Sequence, residues 1–145
     1  MTTPILRAAR PGEVAAIDRV IRRAYAADRA RLEDLPDVTE GLAEEVARRT
    51  VIVADAGAGI AGVAICGSAA EGFRIFNVAV DPGSAGAGLG RSLMAEAERL
   101  ARENGHRVMQ LTTHVGMDRT RAFYARMGWE ETGITGNAVA MRKRL

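Results

Sequence analysis

One stretch of the sequence decides the fold: Asn77-Val-Ala-Val-Asp-Pro-Gly-Ser-Ala-Gly-Ala-Gly-Leu-Gly-Arg-Ser-Leu-Met94. The apolar run from Val78 to Val80 predicts a strand that stops at Asp81-Pro82, and a helix is predicted to begin near Gly88. The glycines between them allow positive φ angles or a close approach to a ligand. Free N–H groups at a helix N-terminus favour phosphate binding. A tight strand-to-helix connection without any ligand would show the same pattern.

Two common phosphate-binding motifs do not fit this turn. A P-loop needs G-x-x-x-x-G-K-[ST], but the nearest register has Ala85 for the first glycine and Arg91 for the lysine. The dinucleotide fingerprint G-x-G-x-x-G fails because Arg91 stands where its third glycine belongs. A nucleotide-binding domain that uses the turn at Gly86–Ser92 stays open as an alternative.

The turn resembles motif A of the GCN5-related N-acetyltransferase (GNAT) family, roughly V-x-P-x-x-[RQ]-G-x-G-[IL]-G-x-x-L-[LM]. The positions in register are Val80, Pro82, Gly86, Gly88, Leu89, Gly90, Leu93 and Met94. In that family, main-chain N–H groups of the turn hold the pyrophosphate of coenzyme A. The resemblance therefore implies acetyl-CoA as cofactor, bound by Val78, Ala79, Val80, Ala85, Gly86, Ala87, Gly88, Leu89, Gly90, Arg91, Ser92 and Phe123.

The turn departs from the family pattern at two positions. Ala85 stands where Arg or Gln is usual, and Ala87 stands where a basic residue is common. Because the main chain carries most of the pyrophosphate contacts in the family, we expect weaker cofactor binding rather than none. Arg91, Arg119 and Arg121 could supply the positive charge instead, or could be solvated surface residues.

A second family signature follows one helix and one strand later, where Phe123, Tyr124, Gly128 and Trp129 match an [FY]-Y-x-x-x-G-[FWY] run. Thr120 stands where Asn is frequent. The resemblance implies that Tyr124 is the catalytic acid that protonates the leaving thiolate. With a phenol pKa of ~10 and a thiol pKa of ~8.5, this transfer is uphill by roughly 2 kcal/mol, and burial of the thiolate reduces that cost. Tyr124 could also only hydrogen-bond the developing charge, or be a core tyrosine.

Two further requirements of acetyl transfer are less well defined. The family implies that a main-chain N–H near Val78 polarises the thioester carbonyl, which requires a bulge to free it from the sheet. The acceptor ammonium, with a pKa of ~10.4 if it is lysine-like, must lose a proton before attack. Glu71 and His114 are candidate bases, each also compatible with a surface position, and water could replace both. The spacing of the two histidines and one cysteine predicts no metal site.

Composition narrows the class of protein. The 145 residues predict one N-acetyltransferase domain over residues 1–145, with 48% hydrophobic and 26% charged residues. A formal charge of +2 is far from the balance of a nucleic-acid-binding protein. The lone Cys66 excludes an internal disulfide. We read no signal peptide and no membrane helix, so the expected location is cytoplasmic.

Hydrophobic periodicity predicts the element order β-α-α-β-β-β-α-β-α-β-β. Its hairpins and helix-linked strands indicate an α/β (α+β) fold: a mixed, mostly antiparallel, twisted sheet of about seven strands with helices on both faces. The predicted strands are Ile5–Ala9, Val51–Ala54, Ile60–Cys66, Phe73–Val80, Val108–Thr113, Glu131–Ile134 and Ala138–Leu145. The predicted helices run from Val14 to Tyr25, over Glu40–Arg49 and Gly88–Glu103, and over about ten residues after an Asp118 N-cap. Loops are predicted at Ala26–Thr39, broken by Pro36, and at Gly67–Glu71.

The fourth predicted strand carries one further signal. Its apolar residues change parity between Ile75 and Phe76, which predicts a β-bulge. A strand buried on both faces would give the same pattern. In the GNAT family such a bulge splays this strand from the next one and admits the pantetheine arm of the cofactor.

The sequence thus predicts an acetyl-CoA-dependent N-acetyltransferase that acts by direct attack of a primary amine, from a small molecule or a peptide. The alternative is a catalytically weak acyl-CoA-binding sensor, motivated by Ala85, Ala87 and Thr120. The partner is the amine acceptor, with neither nucleic acid nor membrane, and a homodimer of the kind that this family often forms is compatible with the sequence. Nothing in the sequence names the acceptor.

Overall fold

A computed structural model describes residues 3–37 and 39–145. Its strands are β1 (Ile5–Ala8), β2 (Thr50–Asp55), β3 (Ile60–Ala69), β4 (Gly72–Val80), β5 (Val108–His114), β6 (Glu130–Thr135) and β7 (Ala138–Arg144). They form one sheet in the order β1-β2-β3-β4-β5-β7-β6. All neighbours are antiparallel except β4 and β5, which are parallel. The expected mixed, mostly antiparallel sheet is confirmed.

Four helices cover the two faces of the sheet: α1 (Val14–Arg31), α2 (Leu42–Arg48), α3 (Leu89–Glu103) and α4 (Asp118–Arg126). Short 3-10 turns precede α1 and α3. On one face, α1 and α2 pack residues such as Ile17 and Leu42 on the sheet. On the other face, α3 and α4 bury Leu93, Met94 and Tyr124. The predicted α/β architecture of seven strands and four helices is confirmed, whereas the two 3-10 turns were not predicted. None of the described helices combines the length and apolar character of a bilayer span.

Helix α1 is longer than predicted. It continues to Arg31 instead of ending near Tyr25, because the intervening alanines and arginines favour helix and contain neither Gly nor Pro. The predicted loop Ala26–Thr39 therefore begins only at Leu32. Val38, within that predicted loop, lies outside the described residues.

The predicted loop Gly67–Glu71 is also wrong at its start. Strand β3 extends through Ala69, where Gly67, Ser68 and Ala69 pair with the first residues of β4. Small side chains do not prevent main-chain pairing, so only Ala70 and Glu71 form the hairpin turn. Glu71 consequently lies at the opposite end of β4 from Val80.

Helix ends differ from prediction by one position at α4. Asp118 is the first residue of that helix rather than its N-cap, and no side chain caps it. The C-terminus of α3 is as expected: Asn104 is the C-cap, and Gly105 follows at φ +82°. Gly128, at φ +91°, comes directly after the α4 C-cap, Met127.

Strand β4 carries the predicted bulge. Asn77 pairs with Ile65 and Ile75 pairs with Cys66, so the extra residue is Phe76. Phe73 and Ile75 face the α3 side of the sheet, and after the bulge Val78 faces that side too, whereas Ala79 packs on the α1 side. The bulge between Ile75 and Phe76 is confirmed, and it turns the main chain of β4 over at this point.

Strands β4 and β5 separate soon after they meet. Their register contains only two pairs, Phe73 with Met109 and Arg74 with Gln110. Among the described residues, none of β4 from Ile75 to Val80 pairs with β5. The sheet therefore has an open seam beside the second half of β4, where main-chain groups are left without a ladder partner.

Candidate functional site

A cleft of about 510 Å³ lies where β4 ends and α3 begins. It is walled by β4, by the glycine turn and by α4. Most of the residues predicted for the site meet here: Val78, Val80, Ala85, Gly86, Gly88, Leu89, Gly90, Arg91, Phe123 and Tyr124. The two sequence signatures, separated along the chain by a helix and a strand, thus form one cavity.

Three of the predicted cofactor contacts do not line the cleft. Ala79 is buried on the α1 side of the sheet, because side chains alternate along a strand. Ala87 is exposed beside the turn. Ser92 lies in the first turn of α3, and its N–H is not free because it donates to Gly88 O over 3.0 Å.

The glycine turn presents a row of free donors. In the described part of the chain, the six consecutive main-chain N–H groups of Gly86–Arg91 have no hydrogen-bond acceptor, and no side chain caps α3. The row is bounded by Ala85, whose N–H donates to Pro82 O, and by Ser92. Since α3 has 15 residues, the positive end of its dipole coincides with these donors. The arrangement suits an anion with several oxygen atoms.

Glycine is required in this turn for two different reasons. Gly86 and Gly88 have φ angles of +85° and +78°, in the left-handed region that side chains disfavour. Gly90 has an ordinary φ angle, but a Cβ there would lie 3.1 Å from Cζ of Phe123. The first two glycines shape the loop, and the third admits an aromatic ring from α4.

Arginines border the same cleft. Arg91, Arg119 and Arg126 line it, and none of the three has an acidic partner within 4 Å among the described residues. Arg121 is placed differently, since it pairs with Glu131 at 2.8 Å and donates to Val115 O. Two of the three arginines considered from the sequence are therefore at the cleft. Sequence reasoning missed Arg126, although positions 119, 123 and 126 share one helical face.

Tyr124 lies in the wall of the cleft and is 7% exposed. Its ring packs against Phe123 and Trp129, with centroids 5.4 and 5.8 Å away. Burial raises the pKa of the phenol well above its ordinary value, and the nearby Tyr25 adds to this effect. The hydroxyl thus keeps its proton at neutral pH and above, as a proton donor requires.

Tyr25 and Asn77 form a second polar pair at the seam. The Tyr25 hydroxyl donates to Oδ1 of Asn77 over 3.2 Å, and burial raises the Tyr25 pKa to about 12. Asn77 is only 7% exposed and directly precedes Val78 of the cleft wall. Sequence reasoning missed both residues. The available signal was a polar Asn within the apolar run of β4.

The two candidate bases lie outside the cleft. His114 Nδ1 accepts from the N–H of Gly116 at 2.9 Å, so the neutral ring carries its proton on Nε2 and donates to Asp34 Oδ1 at 2.8 Å. Both of its nitrogen atoms are therefore occupied. Glu71 lies in the hairpin turn at the far end of β4. In residues 3–37 and 39–145, no three His, Cys, Asp or Glu side chains are grouped as metal ligands.

Comparison with solved structures shows the same fold at low sequence identity. The PaiA N-acetyltransferase of Thermoplasma acidophilum, crystallised with coenzyme A, is 17% identical with a TM-score of 0.88, covering 99% of this chain and 100% of that one. The ribosomal-protein-S18-alanine N-acetyltransferase of Escherichia coli is 19% identical with a TM-score of 0.79, covering 97% and 93%. An acetyltransferase of Streptococcus agalactiae is 14% identical with a TM-score of 0.82, covering both chains fully (100% each). No curated protein matches the sequence.

A family profile identifies the chain more directly. The profile of the acetyltransferase (GNAT) domain matches residues 47–131, which include the glycine turn and both signatures up to Trp129. More than half of the chain lies within this match. The resemblance found in the sequence is confirmed, and acetyl-CoA is the expected cofactor of the fold. The chain belongs to the GNAT family of acetyltransferases.

Proposed function

We propose that this acetyltransferase moves the acetyl group of acetyl-CoA to a primary amine of a small molecule or a peptide, by direct attack, with Tyr124 as the general acid. One observation carries the proposal: Gly86 and Gly88–Arg91, with their free N–H donors, line the same cleft as Tyr124. A diphosphate and a leaving group thus have separate, suitable positions within one cavity.

The cleft fits the charged part of the cofactor. Successive N–H groups at a helix N-terminus bind phosphate oxygen atoms without any side chain, so the diphosphate is assigned to Gly86–Arg91. Arg91, Arg119 and Arg126 add positive charge along the rim. The apolar wall of Val78, Val80 and Phe123 suits the less polar arm of the molecule.

Groups in the wall of the cleft can be assigned to the steps of acetyl transfer. Bound acetyl-CoA supplies the acetyl group as a thioester. The free edge of β4 near Val78 offers main-chain N–H donors to the carbonyl oxygen, because the bulge and the seam remove their partners in β5. Tyr124 holds the proton that the departing sulfur needs, at a buried hydroxyl that resists ionisation.

The protons and electrons of the transfer balance without another cofactor. The lone pair of the amine nitrogen forms the new C–N bond, and the C–S bond breaks with its electron pair on sulfur. Sulfur takes the phenol proton, while water takes a proton from nitrogen and returns it to the phenolate. Water fits this role because neither Glu71 nor His114 faces the cleft.

The sensor alternative rests on three departures from the GNAT signatures, and they differ in how directly they affect the cleft. Ala85 and Thr120 line the cleft, so their missing side chains remove contacts to the cofactor. Ala87 does not line it, and a basic side chain there would act only from outside. The sensor alternative therefore depends on two positions, 85 and 120. The residues usual in the family at these positions would only add to the contacts that the main-chain donors make.

Release of free coenzyme A in the presence of a panel of primary amines tests the proposal. Calorimetry with acetyl-CoA, and with ATP as a control for the nucleotide-binding alternative, measures the cofactor separately. We expect binding of acetyl-CoA, much weaker binding of ATP, and amine-dependent release. Binding without release across a broad panel would favour the sensor, and preferential binding of ATP would overturn the assignment of the cleft.

A further inference from the structure

A second cavity lies at the seam between β4 and β5, and it shares no lining residue with the cleft. It measures about 180 Å³, and its lining includes Tyr25, Phe76, Met117 and Ala138. We call it the β5 pocket. Its link to the cleft is Tyr25, which lines the pocket and donates to Asn77, the residue before Val78 of the cleft wall. The bulged residue Phe76 contributes to the same lining, so both cavities border one stretch of β4.

The outer wall of the β5 pocket is fixed by a cluster around Asp34. His114 of β5 donates to one carboxylate oxygen at 2.8 Å, and the amide of Asn137, in the turn between β6 and β7, donates to the other. Leu35 and Pro36, which follow Asp34, also line the pocket. The connection after α1 is thereby tied to the sheet beside the pocket.

The lining of the β5 pocket offers no ion-pair partner to an acceptor that carries a second positive charge. No Asp, Glu, Lys or Arg among the described residues lines the β5 pocket, and its one histidine has both nitrogen atoms occupied. Both oxygen atoms of the adjacent Asp34 are also engaged. A cation buried in such a lining would carry a large desolvation cost without a compensating ion pair.

The apolar part of the lining indicates which kind of ligand group the β5 pocket can hold. The rings of Tyr25 and Phe76 and the thioether of Met117 offer contacts that favour another aromatic or aliphatic group. One face of the Phe76 ring is already covered by the guanidinium of Arg49, 3.9 Å from its centroid. Pockets for drug-sized ligands measure ~300–1,000 Å³, so this cavity takes a smaller molecule. A peptide segment is larger than a cavity of about 180 Å³.

We propose that the β5 pocket selects a compact monoamine with an apolar body, such as an arylalkylamine, as the acetyl acceptor. This inference rests on the proposed function and narrows its acceptor class. The single ammonium group loses its charge before attack at the seam, and the apolar body stays in the pocket. Polyamines and peptide amines are then poor acceptors.

The test compares four acceptors by coenzyme A release: 2-phenylethylamine, spermidine, a peptide with an N-terminal alanine, and a peptide with one internal lysine. We expect kcat/KM for 2-phenylethylamine to exceed each of the others by about tenfold or more, the discrimination that apolar pockets achieve. Faster transfer to spermidine or to either peptide would overturn the inference and leave the proposed function standing. No release with any of the four would overturn this inference, whereas the proposed function fails only if a broad panel of primary amines also gives no release.

A pair of variants locates the acceptor. Ala138→Leu adds three carbon atoms at a position that lines the pocket and should raise KM for 2-phenylethylamine by about tenfold or more, with unchanged acetyl-CoA affinity. Ala140→Leu is the matched control, since Ala140 lies two residues along β7, is exposed and does not line the β5 pocket. Equal KM values for the wild type and Ala138→Leu would show that the acceptor binds elsewhere.

Discussion

The ring of Phe123 occupies the space that a side chain at Gly90 would need: a Cβ on Gly90 would lie 3.1 Å from Cζ of Phe123. This contact joins the first turn of α3 to α4. The rings of Phe123 and Tyr124 pack at 5.4 Å, so the same contact also connects the glycine turn to Tyr124. The two family signatures therefore meet in a direct contact.

Gly90→Ala should disturb the cleft more than it disturbs the fold. The added methyl group pushes the Phe123 ring by a few tenths of an ångström, and overpacking of this kind costs ~1–3 kcal/mol. We expect acetyl-CoA to bind about tenfold more weakly by calorimetry, which corresponds to ~1.4 kcal/mol. Gly133→Ala, in an open position on the edge strand β6, is the control and should leave the affinity unchanged. An unaltered affinity in Gly90→Ala would mean that Phe123 is not part of the cofactor site.

Ala85→Arg should strengthen cofactor binding, because it restores the residue type that the family usually carries at a position that lines the cleft. An exposed charge pair contributes ~0.2–1 kcal/mol, so the dissociation constant should fall by about 1.4- to fivefold at low salt. The gain should shrink at 0.5 M salt, since ions screen exposed charges. Ala95→Arg, exposed on α3 and outside the cleft, controls for net charge. The same gain in both variants would argue against a specific contact at 85.

Tyr124→Phe should lower kcat by about 10²-fold, a typical contribution of general acid catalysis, with nearly the same dissociation constant for acetyl-CoA. The pH profile gives an independent reading. Burial raises the pKa of this phenol, so its proton-donating form persists above pH 10, and kcat of the wild type should not decline through phenol ionisation up to that pH. A decline near pH 9–10 that disappears in Tyr124→Phe would show that the phenol is solvated, contrary to this structure.

Cys66 should be inert in the folded protein. Its side chain is fully buried, at 0% exposure, and burial raises its thiol pKa to about 12, so almost no thiolate is present at pH 8. A colorimetric thiol reagent should detect no protein thiol under native conditions and one per chain in denaturant. This matters for the release experiments, because coenzyme A is then the only reactive thiol formed. Rapid labelling of the native chain would contradict the buried position of Cys66.

Local patterns in the sequence predicted much of this site. The glycine turn was predictable because the left-handed conformations of Gly86 and Gly88 restrict those positions to glycine. The bulge was predictable because an extra residue reverses the parity of apolar positions, and the structure places it at Phe76. Both signals arise from backbone geometry within a few residues.

Features that depend on distant residues were not predictable in this way. The hydrogen bond between His114 and Asp34 joins residues that are 80 positions apart in the sequence. The hydrogen bond between Tyr25 and Asn77 joins residues that are 52 positions apart. Neither pair has a sequence spacing that indicates contact. The occupied nitrogen atoms of His114 likewise become apparent only when Gly116 and Asp34 are placed around it. The extra length of α1, by contrast, was available from helix propensity and was underestimated.

We propose that main-chain N–H groups of Gly86–Arg91 hold the diphosphate of acetyl-CoA. An ¹⁵N-resolved NMR titration of the wild-type chain with acetyl-CoA, compared with the same titration with a pantetheine thioester that lacks the nucleotide diphosphate, tests it most directly. We expect the amides of Gly86–Arg91 to shift most strongly with acetyl-CoA and little with the truncated thioester. Unchanged amide signals across Gly86–Arg91 at saturating acetyl-CoA would contradict it.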